Sequence, residues 1–422
     1  MESDRDNLEA VAEAAMSGPD AEGVGGASAV GPLDVVCFGG EDWWYHNRGH
    51  IDMQLMRRFA RHGTVLYVNS IVMQKPNFKK GTGGGRSLSQ KIRRKLGSIF
   101  KGLQKSDVGF WVYSPFSLPL HHISLGRRLN KALLGVQMQR VCERIATQDP
   151  VIWVACPAAC DVAIDMPRRA LVYQRTDRFE EYPNIDQDTV RCYDQTLKKQ
   201  ADLTVFVNET LYREEGDQCR RALYLDHGVD YDLFASAPSN STVPGPLEGV
   251  PRPIAGFFGG IDSHTSDLPF IEEVIDLLAD VSFVFIGRAS ADIAALKAKP
   301  NVWMLGQKPY EQIPHYGQCF DVCFMSWHRN DWISMCNPIK LKEYLALGKP
   351  VVSTPFDELE KYLDVVYKAG TPREFAACIR QALEEDTPEK TRQRKARVQQ
   401  ASWESKARRV LEELSYSCRL ER

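Results

Sequence analysis

The chain has 422 residues, of which 43% are hydrophobic and 26% are charged, and its formal net charge is -2. A globular chain of this length is too long for one ordinary core, so two domains with extensions are predicted. No apolar run is long enough to span a membrane, and the near-zero charge excludes an overall attraction to nucleic acid.

Cysteine usage and the first residues bear on the cellular compartment. Eleven cysteines are scattered over the whole chain, and this odd number favours a reducing cytosol over a disulfide framework. Cys156/Cys160 and Cys319/Cys323 lack a second pair at zinc-site spacing, so core thiols are favoured over metal ligands. Residues 1–31 are acidic and Gly/Ala/Ser-rich, without the basic and apolar regions of a secretory signal, and are predicted to be a disordered tail.

The first predicted strand, residues 33–38, ends at Gly39 and Gly40. A helical pattern over residues 51–60 and a second strand over residues 64–68 follow. This order is typical of the beginning of a doubly wound α/β domain. Glycines at the carboxyl end of a strand let the backbone approach a ligand, and such domains bind ligands at that edge.

The turn after this strand is crowded with polar and aromatic side chains, namely Glu41, Asp42, Trp43, Trp44 and His46. Two adjacent tryptophans beside carboxylates could form a surface on which a sugar stacks. The same residues could equally anchor the loop by packing. The sequence leaves both interpretations open.

Residues 75–105 form a basic segment, with ten Lys or Arg and no Asp or Glu. After a Gly-rich break at residues 81–85, a basic amphipathic helix is predicted over residues 87–103. Such a helix can lie on an anionic membrane, or its apolar stripe can pack on its own domain. RNA binding is disfavoured because no aromatic residue alternates with the basic ones. The apolar stripe consists of Leu88, Ile92, Leu96, Ile99, Phe100 and Leu103.

A charged turn follows a later strand of the same half. Because charges directly after a buried strand point toward the ligand crevice, Asp177 in the turn at residues 173–183 is a candidate site residue, with a solvated loop as the alternative. A Ser/Pro/Gly-rich linker, residues 237–250, is the predicted domain boundary. The further strands are predicted at residues 111–113, 151–155, 170–173 and 203–207, with helices around residues 125–146 and 188–200.

The second half repeats the design of the first. Its strands are predicted at residues 254–258, 281–286, 301–306 and 320–325. Glycines again mark the ends of three of them. Gly259-Gly260 follows the first, Gly287 follows the second and precedes Arg288, and Gly306 is the last residue of the third. Because the carboxyl ends of parallel strands converge, these turns and residues 306–313 are expected to meet the next helix.

That helix is well delimited: Asn337 is predicted as the N-cap, Pro338 as the first helical residue and Gly348 as the residue past the end. A helix N-terminus in a ligand crevice is an anion site. Lys340 and Glu343 share one face, so Lys340 is expected beside a phosphate and Glu343 beside a sugar diol. The alternative, a surface Lys–Glu pair, is disfavoured by the converging glycine turns and cations.

Together these residues resemble the group 1-like glycosyltransferases with two-Rossmann GT-B architecture and a Glu-x7-Glu motif. The motif resembles the stretch from Pro338 through Lys340 and Glu343 to Gly348-Lys-Pro-Val. The resemblance covers nearly all of residues 33–422. Three further matches lie in the family's order, at residues 201–209, at His227-Gly228-Val229-Asp230 with Phe234, and at Ser402-Trp403-Glu404.

The resemblance implies an α/β fold of two doubly wound Rossmann-like domains (GT-B) that face each other across a cleft. It implies an acceptor-binding domain at residues 32–236 and a nucleotide-sugar-binding domain at residues 251–385. The last helices, residues 386–422, are expected to pack back on the first domain.

The resemblance also implies roles for single residues. Glu343 matches the glutamate that takes the ribose hydroxyls, and Arg288 and Lys340 are placed for the diphosphate. Asp177, Arg288 and Lys340 are the expected catalytic residues. The expected donor contacts are Gly259, Gly260, Arg288, Gly306, Asn337, Pro338, Ile339, Lys340 and Glu343, and the expected acceptor contacts are Gly39, Gly40, Glu41, Asp42 and Trp43.

Three departures from the family's pattern concern the reacting centre. Met335 stands where the first motif glutamate is expected, and this glutamate contacts the transferred sugar. Residues 155–157 contain no histidine, so Asp177 is its nearest substitute. The Arg/Lys pair that usually follows the first strand of the second domain is absent from residues 259–264.

The implied function is transfer of a sugar from a nucleotide-diphosphate sugar to a glycan or lipid-linked acceptor in cell-surface polysaccharide synthesis. A retaining reaction is expected. No metal or other cofactor is expected either, because cationic side chains and helix amides can stabilise the leaving diphosphate. The expected location is cytoplasmic, peripheral at the inner membrane face through residues 75–105, without a nucleic-acid partner. The alternatives are a nucleotide-sugar epimerase of the same fold and a non-catalytic nucleotide-sugar-binding protein.

Overall fold

The computed structural model describes residues 33–45, 49–71, 97–118, 123–181, 185–237, 244–334 and 336–420. The predicted tail, the basic segment up to residue 96 and Met335 lie outside the described residues. In the part of the chain that is described, no helix is both long and apolar enough to cross a membrane.

The first sheet has eight strands in the order β3-β4-β2-β1-β5-β6-β7-β8, and its described neighbours are parallel except β3 and β4. Its strands are β1 Val35–Phe38, β2 Val65–Val68, β3 Leu103–Lys105, β4 Trp111–Tyr113, β5 Val151–Val154, β6 Ala170–Arg175, β7 Leu203–Phe206 and β8 Ala222–Tyr224. Its helices are α1 Ile51–Phe59, α2 Ser124–Ile145, α3 Cys160–Ala163, α4 Gln187–Gln200 and α5 Glu209–Glu215.

The second sheet has six parallel strands in the order β11-β10-β9-β12-β13-β14. Its strands are β9 Ile254–Phe258, β10 Ser282–Ile286, β11 Val302–Gly306, β12 Val322–Met325, β13 Val351–Ser353 and β14 Tyr367–Lys368. The remaining helices are α6 Tyr231–Ala235, α7 Leu268–Leu277, α8 Ala294–Lys297, α9 Ile313–Gln318, α10 Asp331–Ser334, α11 Ile339–Ala346, α12 Pro372–Glu384, α13 Pro388–Gln399 and α14 Trp403–Leu420.

Both sheets are covered on both faces, which explains why their central strands read as continuous apolar runs. Alternate side chains of β1 enter different cores, with Val35 on one face and Val36 on the other. The second sheet divides in the same way, with Phe257 and Phe258 of β9 in different cores. Each sheet therefore holds two hydrophobic layers, as a doubly wound domain requires.

Strand order also identifies where a ligand fits. In the first sheet, chain order reverses beside β1, whose neighbours are β2 and β5. In the second sheet it reverses beside β9, whose neighbours are β10 and β12. Ligands of doubly wound sheets bind outside the carboxyl ends of the strands at such points. The turns at Gly39 and Gly259 are therefore on the two binding edges.

The chain passes between the two sheets at two adjacent places. The amide of Val229 donates to the carbonyl of Ala401 (2.9 Å), and the amide of Trp403 donates to the carbonyl of Val229 (3.2 Å). A Cβ on Gly228 would lie 2.7 Å from the Trp403 ring, so glycine allows this close approach. The motif around residues 227–230 and the Ser-Trp-Glu segment therefore pair with each other.

A buried ion cluster joins α11 to this crossing. The Lys342 ammonium donates to Oδ2 of Asp226 (2.5 Å) and to the carbonyl of His227 (2.5 Å), and Lys406 of α14 also pairs with Asp226. Burial, together with the charge of Lys342, lowers the pKa of His227 to about 3. Helix α11 is thus linked to both places where the chain passes between the two sheets.

The last helix, α14, packs on α1 at the first sheet. Trp403 and Val410 are buried in the same core as β1, and Glu404 accepts from Nε of Arg58 on α1 (2.9 Å). Helix α13 is the last helix that packs on the second sheet, and α14 returns the chain to the first sheet.

The basic segment ends differently from its prediction. The helix predicted to reach Leu103 stops before Gly102, which has φ +59°, and Leu103–Lys105 pairs antiparallel with β4. Gly102 ends the helix because a left-handed residue without a Cβ is a favourable C-terminal stop. The edge strand then uses Leu103, so this residue is not part of the helical stripe, and Phe100 is 86% exposed.

Candidate donor and acceptor edges of the two sheets

The glycine turns after β9 and β10 lie against each other. The amide of Gly259 donates to the carbonyl of Ile286 (2.8 Å), and the amide of Gly287 donates to the carbonyl of Gly306 (2.9 Å). A Cβ on Gly287 would lie 1.7 Å from the carbonyl oxygen of Gly259. Only glycine fits there, and the three predicted turns form one continuous edge. Gly260 follows within it and is exposed.

Lys340 projects from α11 onto this edge. Its Nζ lies 4.5 Å from the ring centre of Phe257 and 5.3 Å from that of Trp327. A Cβ on Gly259 would come within 2.5 Å of the same atom, so the glycine makes room for the ammonium. Burial lowers the pKa of Lys340 to about 8, although the nearby charge of Glu343 opposes this shift. Among the described residues, Lys340 has no ion-pair partner.

Two further polar groups beside Lys340 have no partner within the described chain. The indole N–H of Trp327 is buried without an acceptor, and both carboxamide atoms of Asn337 are buried without a partner. A buried polar group left unpaired costs about 1–3 kcal/mol, so such groups point to a missing partner. An ammonium and two neutral donors around one edge fit an anion. Trp327 was not singled out from the sequence. Its position shortly after β12 places it at the carboxyl end of a strand, where ligands of doubly wound sheets bind.

Asn337 does not cap the helix as predicted. α11 begins at Ile339, Pro338 occupies the N-cap position, and no side chain caps this helix end. The predicted boundary was wrong by one residue, which explains why the Asn337 carboxamide is left for another partner. Pro338 is buried, and Ile339 packs against the first-sheet core, so these two residues hold the helix start against the other domain.

Glu343 lies one turn further along α11 and is 6% exposed. The Tyr310 hydroxyl donates to its Oε1 (2.9 Å), and Tyr310 packs edge-on against Phe234 (5.8 Å). Burial raises the pKa of Glu343 to about 7, while the Tyr310 hydrogen bond and Lys340 oppose this rise. One carboxylate oxygen remains for a ligand. Tyr310 was not singled out from the sequence, because a pairing across 33 residues leaves no local pattern.

Arg288 and Gly306 lie at the outer part of this edge. Arg288 is exposed, forms no ion pair with any described side chain, and accepts through its carbonyl from the amide of Ile261 (3.0 Å). Gly306 is exposed at the end of β11 with φ +68°. Both residues are therefore accessible on the edge that the glycine turns form, where the converging strands were expected to place them.

Asp177, on the first-sheet side, lies close to the start of α11. Burial raises the pKa of the Cys336 thiol to about 12, and the charge of Asp177 adds to this rise. Cys336 directly precedes Asn337, so the Asp177 turn and the donor edge are near neighbours. Asp177 is thus near Cys336 at the start of α11, while Lys340 and Glu343 lie further along the same helix.

A buried ion network holds the turn that contains Asp177. Arg175 is fully buried, and its guanidinium donates to both carboxylate oxygens of Glu180 (2.9 Å each). This pair links the residues before Asp177 to those after it. Arg175 also contacts Glu215 (3.2 Å) and Asp194 (3.3 Å). Bidentate Arg–carboxylate pairs are strong and orienting. The sequence indicated a charged turn, but not that Arg175 is buried and pairs with Glu180.

The tryptophan turn after β1 is anchored by packing. Trp43 is 1% exposed and stacks edge-on against Phe110 (4.7 Å), while its amide donates to Oδ1 of Asn69 (2.8 Å). Asp42 accepts from the Ser98 hydroxyl (2.8 Å). The Trp43 ring is therefore a core side chain and offers no stacking surface for a sugar, which corrects its assignment as an acceptor contact.

The remaining residues of this turn differ in accessibility. A Cβ on Gly39 would lie 2.1 Å from the Tyr67 ring, so Gly39 is a packing glycine. Gly40 is exposed and Glu41 is half-buried, and these two remain candidates for an acceptor contact. Within the described ranges, no group of three or more His, Cys, Asp or Glu is arranged to hold a metal ion.

This chain resembles known proteins in sequence and in fold. Residues 252–385 match the model of the family described as Glycosyl transferases group 1. The putative teichuronic acid biosynthesis glycosyltransferase TuaH of Bacillus subtilis (strain 168) is 28% identical over 207 residues, which are 46% of this chain and 48% of that protein. The match thus spans about half the length of this curated relative.

Solved structures match over nearly the whole chain. HepE of Anabaena in complex with UDP and glucose has a TM-score of 0.62 at 15% identity, covering 91% of this chain and 99% of that chain. Sucrose-phosphate synthase of Thermosynechococcus elongatus has a TM-score of 0.63 at 11% identity, covering 91% and 98%. The predicted GT-B fold class is confirmed, and residues 252–385 are similar to the group 1 glycosyl transferases.

Proposed function

We propose that this chain transfers a sugar from a nucleoside-diphosphate sugar to a glycan or lipid-linked acceptor during the synthesis of a cell-surface polysaccharide. The match of residues 252–385 to the Glycosyl transferases group 1 model supports the reaction class. The name of the relative TuaH, a putative teichuronic acid biosynthesis glycosyltransferase, supports the polysaccharide product. The UDP and glucose in the HepE structure support the donor class.

The observation that carries this proposal is the set of unpartnered polar groups at the second-sheet edge. The Lys340 ammonium lies 5.3 Å from the Trp327 ring centre, and Asn337 precedes Lys340 by three residues. Neither the Trp327 indole N–H nor the Asn337 carboxamide has a hydrogen-bond partner within the described chain. A diphosphate supplies the negative charge and the acceptor oxygens that this edge needs. Arg288 is exposed at the rim of the same edge, where it can reach an outer phosphate oxygen.

Glu343 and Tyr310 are proposed to bind the ribose. The Glu343 carboxylate keeps one oxygen free of the Tyr310 hydroxyl, and a carboxylate can accept hydrogen bonds from two neighbouring ribose hydroxyls. The neighbouring turn, residues 306–313, is proposed to contact the base. Glu343 then determines where the nucleotide lies relative to Lys340.

The proposed chemistry is departure of the nucleoside diphosphate and attack of an acceptor hydroxyl on the anomeric carbon, with the hydroxyl proton passing to the leaving diphosphate oxygen. The bond electrons leave with the diphosphate, and Lys340, Arg288 and Asn337 stabilise the charge that develops there. The sugar gains oxocarbenium character, which the Asp177 carboxylate faces from the first-sheet side. We propose a retaining reaction in which these cations act without a metal or other cofactor.

The acceptor is proposed to enter over Gly40 and Glu41, on the binding edge of the first sheet. Closure of the two sheets over the donor would exclude water from the reacting bond. The proposed location is the cytoplasm, at the inner face of the membrane. The basic residues of the segment 75–105 support this location, because a basic helix is attracted to anionic lipid.

The test is turnover of a panel of nucleotide sugars by the purified chain with a membrane extract as acceptor. Release of nucleoside diphosphate and labelled glycan is expected, and Glu343→Ala should abolish it, while Glu273→Gln, at an exposed position of α7, should not. Normal turnover by Glu343→Ala would remove the site assignment. An altered nucleotide sugar in an acceptor-free mixture would indicate an epimerase, and donor binding without turnover across many acceptors would indicate a binding protein.

Two further measurements test the finer parts of the proposal. The anomeric configuration of the product, determined by NMR, should equal that of the donor, and the opposite configuration would exclude retention. Turnover should persist after dialysis against a chelator. A loss that added divalent cation restores would show that a metal is required.

A further inference from the structure

Exposed apolar side chains are concentrated on one part of the first sheet's cover. Nine large hydrophobic side chains are exposed in the described structure, and five of them lie between residues 116 and 136. The other four are spread over the rest of the described chain. These five are Phe116, Ile123, Leu125, Leu129 and Val136. Such a concentration marks an interaction surface, because single exposed apolar residues are normally scattered.

Most of this surface is the outer face of α2. Leu125, Leu129, Ala132 and Val136 follow each other at intervals of four, three and four residues, so they form one stripe along the helix. The opposite face of α2 is also apolar, with Leu134, Met138 and Val141 buried against the sheet. A helix on a soluble domain ordinarily has one apolar face. The outer apolar face of α2 therefore indicates a binding surface for a partner.

Basic side chains flank the stripe on both sides. α2 contains five basic residues and one acidic residue, Glu143. Helical spacing places Arg128 and Lys131 along one border of the stripe and Arg140 and Arg144 along the other. Lys131 pairs with Asp165 (2.6 Å), whereas Arg128, Arg140 and Arg144 have no ion-pair partner among the described residues.

A groove with a volume of about 970 Å³ opens beside the same helix face. It lies between α2 and the segment after α3, and its apolar lining includes Val136, Val162 and Met166. The side chains of Arg128 and Lys131 also line it. This groove can take an apolar chain whose charged head stays at the basic border.

We propose that the outer face of α2 docks on an anionic lipid leaflet. The apolar stripe enters the boundary between headgroups and acyl chains, and the flanking arginines reach lipid phosphates. The charge pattern selects this partner, because an anionic leaflet matches apolar and basic groups at once over a broad surface. The inference deepens the peripheral location proposed above, and it assigns the contact to α2, outside the basic segment 75–105.

The test is binding of the full chain to vesicles, measured by co-sedimentation without substrates. Vesicles of phosphatidylcholine and phosphatidylglycerol in equal parts are compared with vesicles of phosphatidylcholine alone. Binding to the anionic vesicles is expected, weaker at high salt and absent with the neutral ones. Because no donor or acceptor is present, this outcome is independent of turnover, so the docking surface and the transferase activity can fail separately.

Matched variants assign the binding to α2. Each basic residue near an anionic leaflet is worth about 1 kcal/mol, or roughly fivefold, so Arg128→Gln, Arg140→Gln and Arg144→Gln together should weaken binding on the order of 100-fold. The control removes three exposed basic residues elsewhere, with Lys297→Gln, Arg373→Gln and Arg408→Gln, and should retain most of the binding.

A second pair of variants tests the apolar stripe. Leu125→Ser with Leu129→Ser should weaken vesicle binding, whereas Leu277→Ser with Leu363→Ser, which are exposed elsewhere, should not. Far-UV circular dichroism and Tm confirm that each variant is folded. Equal binding of both α2 variants and the wild-type chain would overturn the proposal. So would a loss of binding that appears only when basic residues between positions 75 and 96 are replaced.

Discussion

At the scale of single residues, some polar groups of the candidate donor edge have no hydrogen-bond partner within the described chain, and others are positioned by a neighbouring side chain. Glu343 depends on Tyr310, which donates to one of its oxygens and opposes the rise in its pKa. Its pKa of about 7 means that its carboxylate form, and so its capacity to accept from ribose, is lost as pH falls through neutrality.

Tyr310→Phe is therefore expected to weaken donor binding in a pH-dependent way. Loss of the hydroxyl raises the pKa of Glu343 further, so the pH below which affinity falls should move upward. A hydrogen bond to a charged group is worth about 1.5 kcal/mol, or roughly tenfold in Kd. Calorimetric titration with nucleoside diphosphate at about pH 6 and about pH 8.5 measures this. Tyr316→Phe, a buried tyrosine of the following helix, is the control, and equal effects of the two substitutions would exclude the assigned role.

Asn337→Ala should separate binding from stability. The wild-type carboxamide is buried without a partner among the residues that the structure describes, so its removal is expected to leave the free energy of unfolding unchanged or raised by about 1 kcal/mol. Donor affinity should fall because the diphosphate loses a donor. Asn330→Ala is the contrast, since Asn330 accepts from the amide of Ile333 (2.8 Å), and its loss should cost stability. A stability loss in Asn337→Ala would show that the carboxamide has a structural partner.

At the scale of elements, the edge depends on turns that admit other groups. Gly259 has φ +143° and makes room for the Lys340 ammonium. Gly249 has φ +79°, and no atom lies within 4 Å of the place that a Cβ would take there, so it shares the backbone requirement without the steric one.

Gly259→Ala and Gly249→Ala should both destabilise the fold by about 1 kcal/mol, because alanine is disfavoured at these φ values. Only Gly259→Ala should weaken nucleotide binding, by roughly tenfold, through displacement of Lys340. Urea unfolding and calorimetric titration measure the two effects. Unchanged nucleotide binding in Gly259→Ala would show that Lys340 does not approach the phosphates.

Most elements could be predicted because their ends carry local signals. Glycines close the strands at Gly39, Gly259 and Gly306, and the stretch from Asn337 to Gly348 delimits a helix to within two residues of the observed α11. The helix predicted through Leu103 failed because strand pairing with β4 overrides a helical pattern, and pairing is not a local property.

The site was predictable to the same extent. Lys340 and Glu343 follow from their spacing on one helix, but Tyr310 and Trp327 reach the edge through tertiary contacts. The burial of Trp43 could not be read from a turn that suits either a ligand or a core. The domain limits drawn from the linker composition stay predictions.

At the scale of the whole molecule, the two sheets are joined where the chain crosses twice. Asp226 sits between Lys342 of α11 and Lys406 of α14, so it connects the donor helix with both crossings. Burial raises the pKa of Asp226, but the two ammonium groups outweigh it and hold this pKa well below its usual range.

Asp226→Asn is expected to lower the free energy of unfolding by about 3 kcal/mol, because it leaves the Lys342 charge, 1% exposed, without a counter-ion. A carboxyl group with a lowered pKa contributes stability above its usual pKa, and this contribution is lost as pH falls toward the lowered value. The difference between wild type and Asp226→Asn should therefore be full near neutral pH and should shrink below about pH 4.

Urea unfolding across this pH range measures the effect. Asp280→Asn removes one partner of the exposed pair with Arg380 (2.7 Å) and should change stability little at any pH. Lys342→Met combined with Asp226→Asn should recover part of the loss, because no unpaired buried charge at position 342 remains. If Asp226→Asn behaved like Asp280→Asn, the cluster would contribute no more than a surface ion pair. The two crossings would then depend on the packing of Trp403 and on the backbone hydrogen bonds of Val229.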